Sequence, residues 1–370
     1  MLRSFSALRS LSLALALVSG GLACSTVVHA ESVDYFKAQL EPYTQKPKFV
    51  PAGPAFDATA CAKGKTLFAV PQSSANPFTD TIAKAMTAAG KKVNLKVTVW
   101  QNQGNRREWV QGMNTALNEK ATLIDLIAGP DPRALVPQIK EAAGAGILTV
   151  ASHFNGYEQS SEIAKFGAGD VPIDYFKAGS LLVDRAAVVT NGKLHALLVT
   201  SPGILSSDSM LNGMKIELAK CSGCTAKTLE FPDNWASKIT PGVQSALLSD
   251  PSINYIVVMY DPMTQFVVPA VTITGSKAKI GSFNGTPFAI GLVQQGKVDM
   301  IIGENLDWIG HAIVDADLRR MCGMTAVTNP QIPLYVFDAS NAADAGTPPQ
   351  LSKGYGDAYI SGYAKLWKLQ

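Results

Sequence analysis

The sequence predicts a doubly wound α/β architecture, and three observations carry the prediction. Short apolar runs recur along the chain, segments with helical spacing lie between them, and 370 residues are enough for two domains or one large unit with a sizeable core. Because strand and helix alternate, neighbouring strands should be parallel, with right-handed crossovers and helices on both faces of each sheet.

Taken in order, the runs Leu67 to Val70, Leu95 to Trp100, Leu123 to Ala128, Ile147 to Ser152, His195 to Thr200, Tyr255 to Tyr260, Ile280 to Phe283 and Met300 to Gly303 read as buried strands. Helical spacing marks Thr79 to Ala89, Arg106 to Asn118, Arg133 to Ala143, Tyr175 to Val189, Ser207 to Ala219 and Asp307 to Arg320. Glu41 to Ala60 and the stretch after Asn341 lack periodicity and are rich in Pro, Gly and Ser, so they read as tails packed on the outside.

The first 30 residues contain Arg3 and Arg9 but no acid, then an apolar run from Leu11 to Ala23, then Val28-His29-Ala30 ahead of Glu31. This pattern predicts a secretory signal peptide, removed to leave 370 − 30 = 340 residues in the periplasm. The apolar run is too short for a membrane span, and Gly21 stands where lipoprotein attachment at Cys24 would want a branched apolar residue. The remainder carries 32 − 2 = 30 basic and 29 acidic residues, which implies no nucleic-acid or anionic-membrane partner. Cys61, Cys221, Cys224 and Cys322 are even in number, as expected for disulfides in an oxidising compartment; they allow three pairings, between which spacing does not choose. Cys221-Ser-Gly-Cys224 follows a helical segment instead of opening one after a strand, which disfavours a redox pair.

Ligands of doubly wound folds bind beyond the carboxyl ends of the strands. Those ends are polar, small or aromatic: Pro71 to Phe78, Gln101 to Asn105, Gly129 to Asp131, His153 to Asn155, Ser201 to Gly203, Asp261-Pro262, Asn284 to Thr286 and Glu304-Asn305. The sequence contains no dinucleotide fingerprint, phosphate-cradling loop, His-Glu-x-x-His or Gly-x-Ser-x-Gly, so no cofactor, metal or catalytic nucleophile is expected.

Three segments, Leu67-Phe-Ala-Val-Pro-Gln-Ser-Ser-Ala-Asn-Pro-Phe78, Tyr255-Ile-Val-Val-Met-Tyr-Asp261 and Ile280-Gly-Ser-Phe-Asn-Gly-Thr286, resemble signatures of the ribose-type periplasmic sugar-binding proteins, in the same order and spacing. The resemblance runs from about Lys65 to Val327. It implies a type I periplasmic binding protein fold: two doubly wound parallel-sheet lobes joined by a three-stranded hinge, with crossings near Ser152, Glu304 and Asn329. The resulting division is an extension over 31–60, a first lobe over 61–152 plus 305–328, a second over 153–304 plus 329–340, and a tail over 341–370. The same resemblance pairs Cys61 with Cys322 and Cys221 with Cys224, since each pair then shares a lobe, and disfavours a four-cysteine zinc site.

Carried across residue by residue, the resemblance makes Asn76 an amide for a sugar hydroxyl and Phe78 a stacking ring, and places Trp235 as an aromatic lid on the second lobe. Sugar hydroxyls want amides and carboxylates, and the C–H faces of the ring stack on aromatics. Departures are informative as well. His153-Phe154 stands where the family has an Asp-Arg pair, Tyr260 replaces an Asn, Asn284 an Asp and Glu304 a Gln, and no arginine clamp remains. With Asp261 these residues form a site rich in acceptors, suited to a neutral hydroxyl-rich ligand and not to a sugar phosphate. His195, in a strand run, and His311, on a helix, read as structural.

The resemblance therefore implies a monomeric, non-enzymatic receptor that captures a sugar or polyol and presents it to an inner-membrane ABC permease. A ligand-sensing adaptor for a chemoreceptor or sensor kinase is the alternative, since the same two lobes serve both purposes. A secreted glycoside hydrolase would need Asp261 and Glu304 as a carboxylate pair.

Overall fold

The computed structural model describes residues 31–159, 171–232, 234–325, 327 and 329–369; the predicted signal peptide and Cys24 lie outside the described residues. Two sheets organise the chain. The first holds β1 (Thr66–Pro71), β2 (Lys96–Val99), β3 (Leu123–Ile127) and β4 (Leu148–Ser152) in the order β2-β1-β3-β4, all parallel. Leu67 of β1 pairs with Val97 on one side and Leu123 on the other, and β1 is buried and apolar from Leu67 to Val70, as a helix-covered sheet demands, while β3 is apolar apart from the buried Asp125, which accepts from the Ser152 amide.

The second sheet holds β5 (His195–Thr200), β6 (Thr225–Glu230), β7 (Tyr255–Val258), β8 (Lys279–Asn284), β9 (Met300–Glu304) and β10 (Leu334–Asp338), in the order β10-β9-β8-β7-β5-β6. Two of these strands depart from the sequence expectation. The polar segment Thr-Ala-Lys-Thr-Leu-Glu is β6, which pairs along only one side at the free edge and therefore needs no apolar run. β10 runs antiparallel to β9, so the sheet is mixed and not purely parallel.

Helices α3 (Pro77–Lys92), α4 (Arg106–Asn118) and α5 (Val136–Gly144) cover the first sheet, and α6 (Tyr175–Val189), α7 (Leu205–Ala219), α8 (Trp235–Ser249), α9 (Asp261–Thr274) and α10 (Pro287–Gln294) the second. Pro241 and Pro269 lie inside α8 and α9, and tertiary packing overrides their low helical propensity. After β9 the chain crosses back as α11 (Leu306–Met321), which packs against α3 of the first lobe with Gly310 fitted against Ala85 and Met86.

The terminal segments are not the outer tails that their composition predicts. Helix α1 (Val33–Leu40) docks on α6 through the fully buried Phe36, and Lys220 Nζ donates to the Tyr35 hydroxyl at 2.7 Å. The chain then runs to the first lobe, where Phe49 stacks on Trp308 at 5.9 Å and α2 (Ala58–Ala62) packs on α11. From the other terminus, Tyr355 is buried against Phe337, with its hydroxyl donating to the Gly285 carbonyl at 3.2 Å. Helix α12 (Ala358–Leu366) and Trp367 then close on α11, where His311 lies among Tyr359, Tyr363 and Trp367. Both termini thus run from one lobe to the other, and their buried rings supply apolar area that an outer tail would lack.

A buried ion pair ties these segments together. Arg319 Nε donates to Asp315 Oδ2 at 2.8 Å, Arg319 Nη2 to the Pro54 carbonyl at 3.0 Å, and Trp367 Nε1 to Asp315 Oδ1 at 2.8 Å. The Arg319 guanidinium also lies over the Phe56 ring at 4.6 Å. Nearby, Cys61 and Cys322 come to disulfide spacing with Cα atoms 6.0 Å apart, and Cys221 and Cys224 do so in the second lobe at 5.3 Å.

Candidate functional site

The loops that leave the carboxyl ends of β1, β3, β4, β5, β7 and β8 converge on one cavity of about 720 Å³ between the two sheets. Strand order explains the place. In the first sheet β1 has β2 on one side and β3 on the other, and in the second β5 has β6 on one side and β7 on the other, so successive loops diverge and leave a crevice. A second depression, of about 590 Å³, opens beside Lys279 and Asp299 at the amino ends of β8 and β9, away from this crevice.

The β1 loop supplies Gln72, Asn76 and Phe78. Asn76 caps α3, accepting at Oδ1 from the Phe78 amide at 3.0 Å, which leaves Nδ2 for a ligand and fixes the direction in which Phe78 leaves the turn. Trp109 of α4 donates Nε1 to the Gln72 carbonyl at 2.9 Å, so the indole is anchored while its face lines the cavity. Gly129, at φ +153°, lies against the Gln72 side chain, and a Cβ there would run into it.

Beyond β4, His153 connects the two lobes. Its Nδ1 lies 2.6 Å from the Tyr175 hydroxyl, its Nε2 lies 3.2 Å from Glu304 Oε2, and its ring meets Phe78 edge-on at 5.5 Å. The Nε2 contact is at ion-pair distance but off hydrogen-bond alignment, and both atoms lack any other partner among the described residues. A proton on Nε2 faces the carboxylate and leaves Nδ1 to accept from Tyr175. The second Glu304 oxygen accepts from Asn284 Nδ2 at 3.1 Å. Tyr175, His153, Glu304 and Asn284 thus form one buried chain across the floor of the cavity, and burial pushes the Tyr175 hydroxyl well above its ordinary range.

Three non-glycine residues at these strand ends hold left-handed backbone: Ala128 at φ +53°, His153 at +55° and Asn284 at +131°. Each conformation costs about 1–3 kcal/mol, and such strain gathers where a fold aims side chains at a site. On the second lobe, Tyr260 donates to or accepts from Ser206 and Ser207, both at 2.9 Å, and burial raises its pKa. Trp235 opens α8 and donates Nε1 to the Phe231 carbonyl at 2.9 Å. Phe288, half-exposed at the start of α10, and Ile204 stand at the mouth.

Of the residues singled out from sequence, Asn76, Phe78, His153, Phe154, Trp235, Tyr260 and Asn284 all line this cavity. Asp261 and Glu304 do not. Asp261 is fully buried behind Tyr260, and its Oδ2 accepts from the Gly285 and Thr286 amides, both at 2.8 Å, and from the Thr286 hydroxyl at 3.1 Å. Burial pushes its carboxyl up to about 7 although those donors pull the other way. It shapes the β8 loop and offers the cavity nothing directly. Glu304 stands one layer back, oriented by the two lining residues it contacts.

Sequence reasoning missed Gln72, Trp109, Tyr175, Gln265 and Phe288, which also line the cavity. Trp109 sits on an ordinary amphipathic helix, where a large ring reads as core. Phe288 follows the Asn284-Gly-Thr286 turn, and the signal that marks it is an aromatic next to a proline one step past a strand-end loop.

No curated protein sequence shows a significant match to this chain. Solved structures with the same fold include a carbohydrate transporter from Acidothermus cellulolyticus in complex with myo-inositol, 24% identical with a TM-score of 0.60, covering 76% of this chain and 97% of its own. A solute-binding protein from Agrobacterium vitis bound with α-D-tagatopyranose is 20% identical with a TM-score of 0.67, over 76% of this chain and 96% of its own. The 5-methylthioribose transporter solute-binding protein from Thermotoga lettingae is 16% identical with a TM-score of 0.65, over 82% and 92%. The two-sheet architecture, the crevice at the strand ends and the match of residues 67–323 to the family model agree, and this chain belongs to the periplasmic binding protein domain family.

Proposed function

We propose that the protein is an exported receptor that captures a neutral sugar or polyol between its two lobes and delivers it to an inner-membrane ABC permease. The observation that carries this reading is the cavity itself: it lies at the carboxyl ends of both sheets, and among its described lining residues none is Asp, Glu, Lys or Arg. Amides and rings offer hydrogen bonds to hydroxyls and flat faces to C–H surfaces, whereas an acidic or phosphorylated ligand would be buried without a cationic partner. The myo-inositol, tagatopyranose and 5-methylthioribose bound by proteins of the same fold support a ligand of this class.

In this reading residues 1–30 are removed on export, the mature chain works as a monomer, and Cys61–Cys322 and Cys221–Cys224 are oxidised in the periplasm. The first lobe comprises 61–152 plus 305–328 and the second 153–304 plus 329–340. Asn76, Asn284 and Gln72 hold hydroxyls, Phe78 and Trp235 stack on the ligand, and closing the lobes expels water and strengthens each bond. In this reading no covalent chemistry is involved, and Asp261, buried outside the cavity lining, holds the β8 loop through the three donors on its Oδ2.

The test is a thermal-shift and calorimetric screen of the purified mature protein against pentoses, hexoses, polyols and sugar acids. A rise in melting temperature with a neutral sugar or polyol, and none with the matched acid, is the expected result, because a ligand that binds only the folded state stabilises it. Preference for the acid would overturn the reading.

A further inference from the structure

Many of the polar side chains around the cavity already have a partner inside the protein. His153 is held by Tyr175 and Glu304, Tyr260 by Ser206 and Ser207, and the Thr286 hydroxyl by Asp261. Trp109 and Trp235 donate their indole N–H groups to the carbonyls of Gln72 and Phe231 and so present only their faces. Side-chain amide atoms without a partner among the described residues are both ends of Gln72, Asn76 Nδ2, Gln265 Oε1 and Asn284 Oδ1, beside the remaining lone pairs of the lining hydroxyls.

A simple hexose carries a hydroxyl on almost every ring carbon, and any of them placed against the aromatic part of this wall would be buried unpaired. The cavity is also larger and more apolar than its few free amides explain. The rings of Phe78, Trp109, Phe154, Trp235 and Phe288 line it, and Phe288 and Ile204 keep apolar surface open at its mouth.

We infer that the ligand is a sugar or polyol bearing an apolar substituent, an aryl or alkyl glycoside, with its hydroxyl edge on Gln72, Asn76 and Asn284 and its apolar part against Trp235, Ile204 and Phe288. This assignment rests on the sugar-receptor reading above and names the part of the ligand that reading leaves open. The amides that face the hydroxyls lie at the strand ends β1 and β8, while the apolar subsite comes from α8, α10 and the loop before α7, so the two ends of the ligand meet different elements.

The experiment is calorimetric titration of the mature protein with matched pairs, D-glucose against phenyl β-D-glucopyranoside and D-galactose against phenyl β-D-galactopyranoside, with benzyl alcohol as the ring without its sugar. In at least one pair the glycoside is expected to bind about tenfold or more tightly than its parent, the scale set by burying a ring. Phe288→Ser, at a half-exposed position, should shrink that ratio to about threefold or less, whereas Asn76→Ala should weaken both members of the pair together. Parent sugars that bind as tightly as their glycosides would overturn this inference and leave the sugar-receptor reading standing. Benzyl alcohol binding as tightly as the glycosides would overturn both, silence across the panel would overturn the inference, and an unchanged ratio in Phe288→Ser would overturn the placement of the subsite.

Discussion

Glu304 Oε2 lies 3.2 Å from His153 Nε2, joining the end of a strand in one sheet to the residue that follows the last strand of the other. Neither residue is exposed, and through Asn284 the same carboxylate also reaches a cavity wall. In the proposed function Glu304 is thus a positioning residue, since both of its partners, His153 and Asn284, line the cavity.

Removing it should act on affinity through those partners. Glu304→Ala frees Asn284 and leaves His153 facing a void, and is expected to weaken sugar binding by about tenfold or more, the scale of losing a charge-assisted hydrogen bond. Glu304→Gln keeps an acceptor for Asn284 and should recover part of that loss. Titration calorimetry of both variants reads the result; equal affinity for wild type and Glu304→Ala would remove Glu304 from the site.

The Phe78 ring lines the cavity, meets His153 edge-on at 5.5 Å and is a direct ligand contact in the proposed function. Phe78→Leu keeps apolar volume and loses the flat face, so it should weaken binding by about fivefold to tenfold, the scale of an aromatic contact beyond area burial, with little change in melting temperature in the absence of ligand. A large loss of stability with affinity intact would mean that the ring packs the wall and does not stack on a ligand.

The terminal segments should be part of the stability of both lobes. Arg319→Ala leaves Asp315 buried without its cation and removes the bond to Pro54, and is expected to cost about 3–5 kcal/mol. Trp367→Phe keeps the packing but drops the indole bond to Asp315, for about 1–2 kcal/mol. Urea denaturation monitors both, and values near zero would mean that the termini are not docked as described.

His311 supplies a pH dependence of known sign. Burial lowers its pKa to about 4, with the Lys92 ammonium acting in the same direction, against an ordinary value of about 6.5. The unfolded chain therefore takes up a proton near pH 6.5 that the folded chain refuses until about pH 4. Stability from this group is complete above about pH 6.5 and falls as the solution is acidified to about pH 4, by up to about 3 kcal/mol. His311→Gln, which does not titrate, should flatten the stability curve across that window relative to wild type; parallel curves would contradict the burial of the imidazole.

How much of this was legible in the sequence follows from the range of the forces involved. The buried strands β1, β3, β7 and β8 announce themselves as apolar runs because both faces of a covered sheet must be apolar. Edge strand β6 does not, since its neighbours are water on one side and a single strand on the other. Helices α8 and α9 hide behind Pro241 and Pro269, whose local penalty packing overrides. Asn76 and Phe78 were readable because the turn that carries both resembles the family's first signature, whereas Trp109 reaches the cavity only because α4 folds back over Gln72.

The sequence by itself determined the fold class and the crevice at the strand ends, because these follow from periodicity and from loops next to strands, while the resemblance of three segments to the family's signatures named most of the side chains that gather there. Only the tertiary structure decided which of them face the cavity. Asp261 turned inward to three donors and Glu304 fell one layer behind His153 and Asn284, because a buried carboxylate goes to whichever protein donors the fold brings within reach, and those donors are distant in sequence.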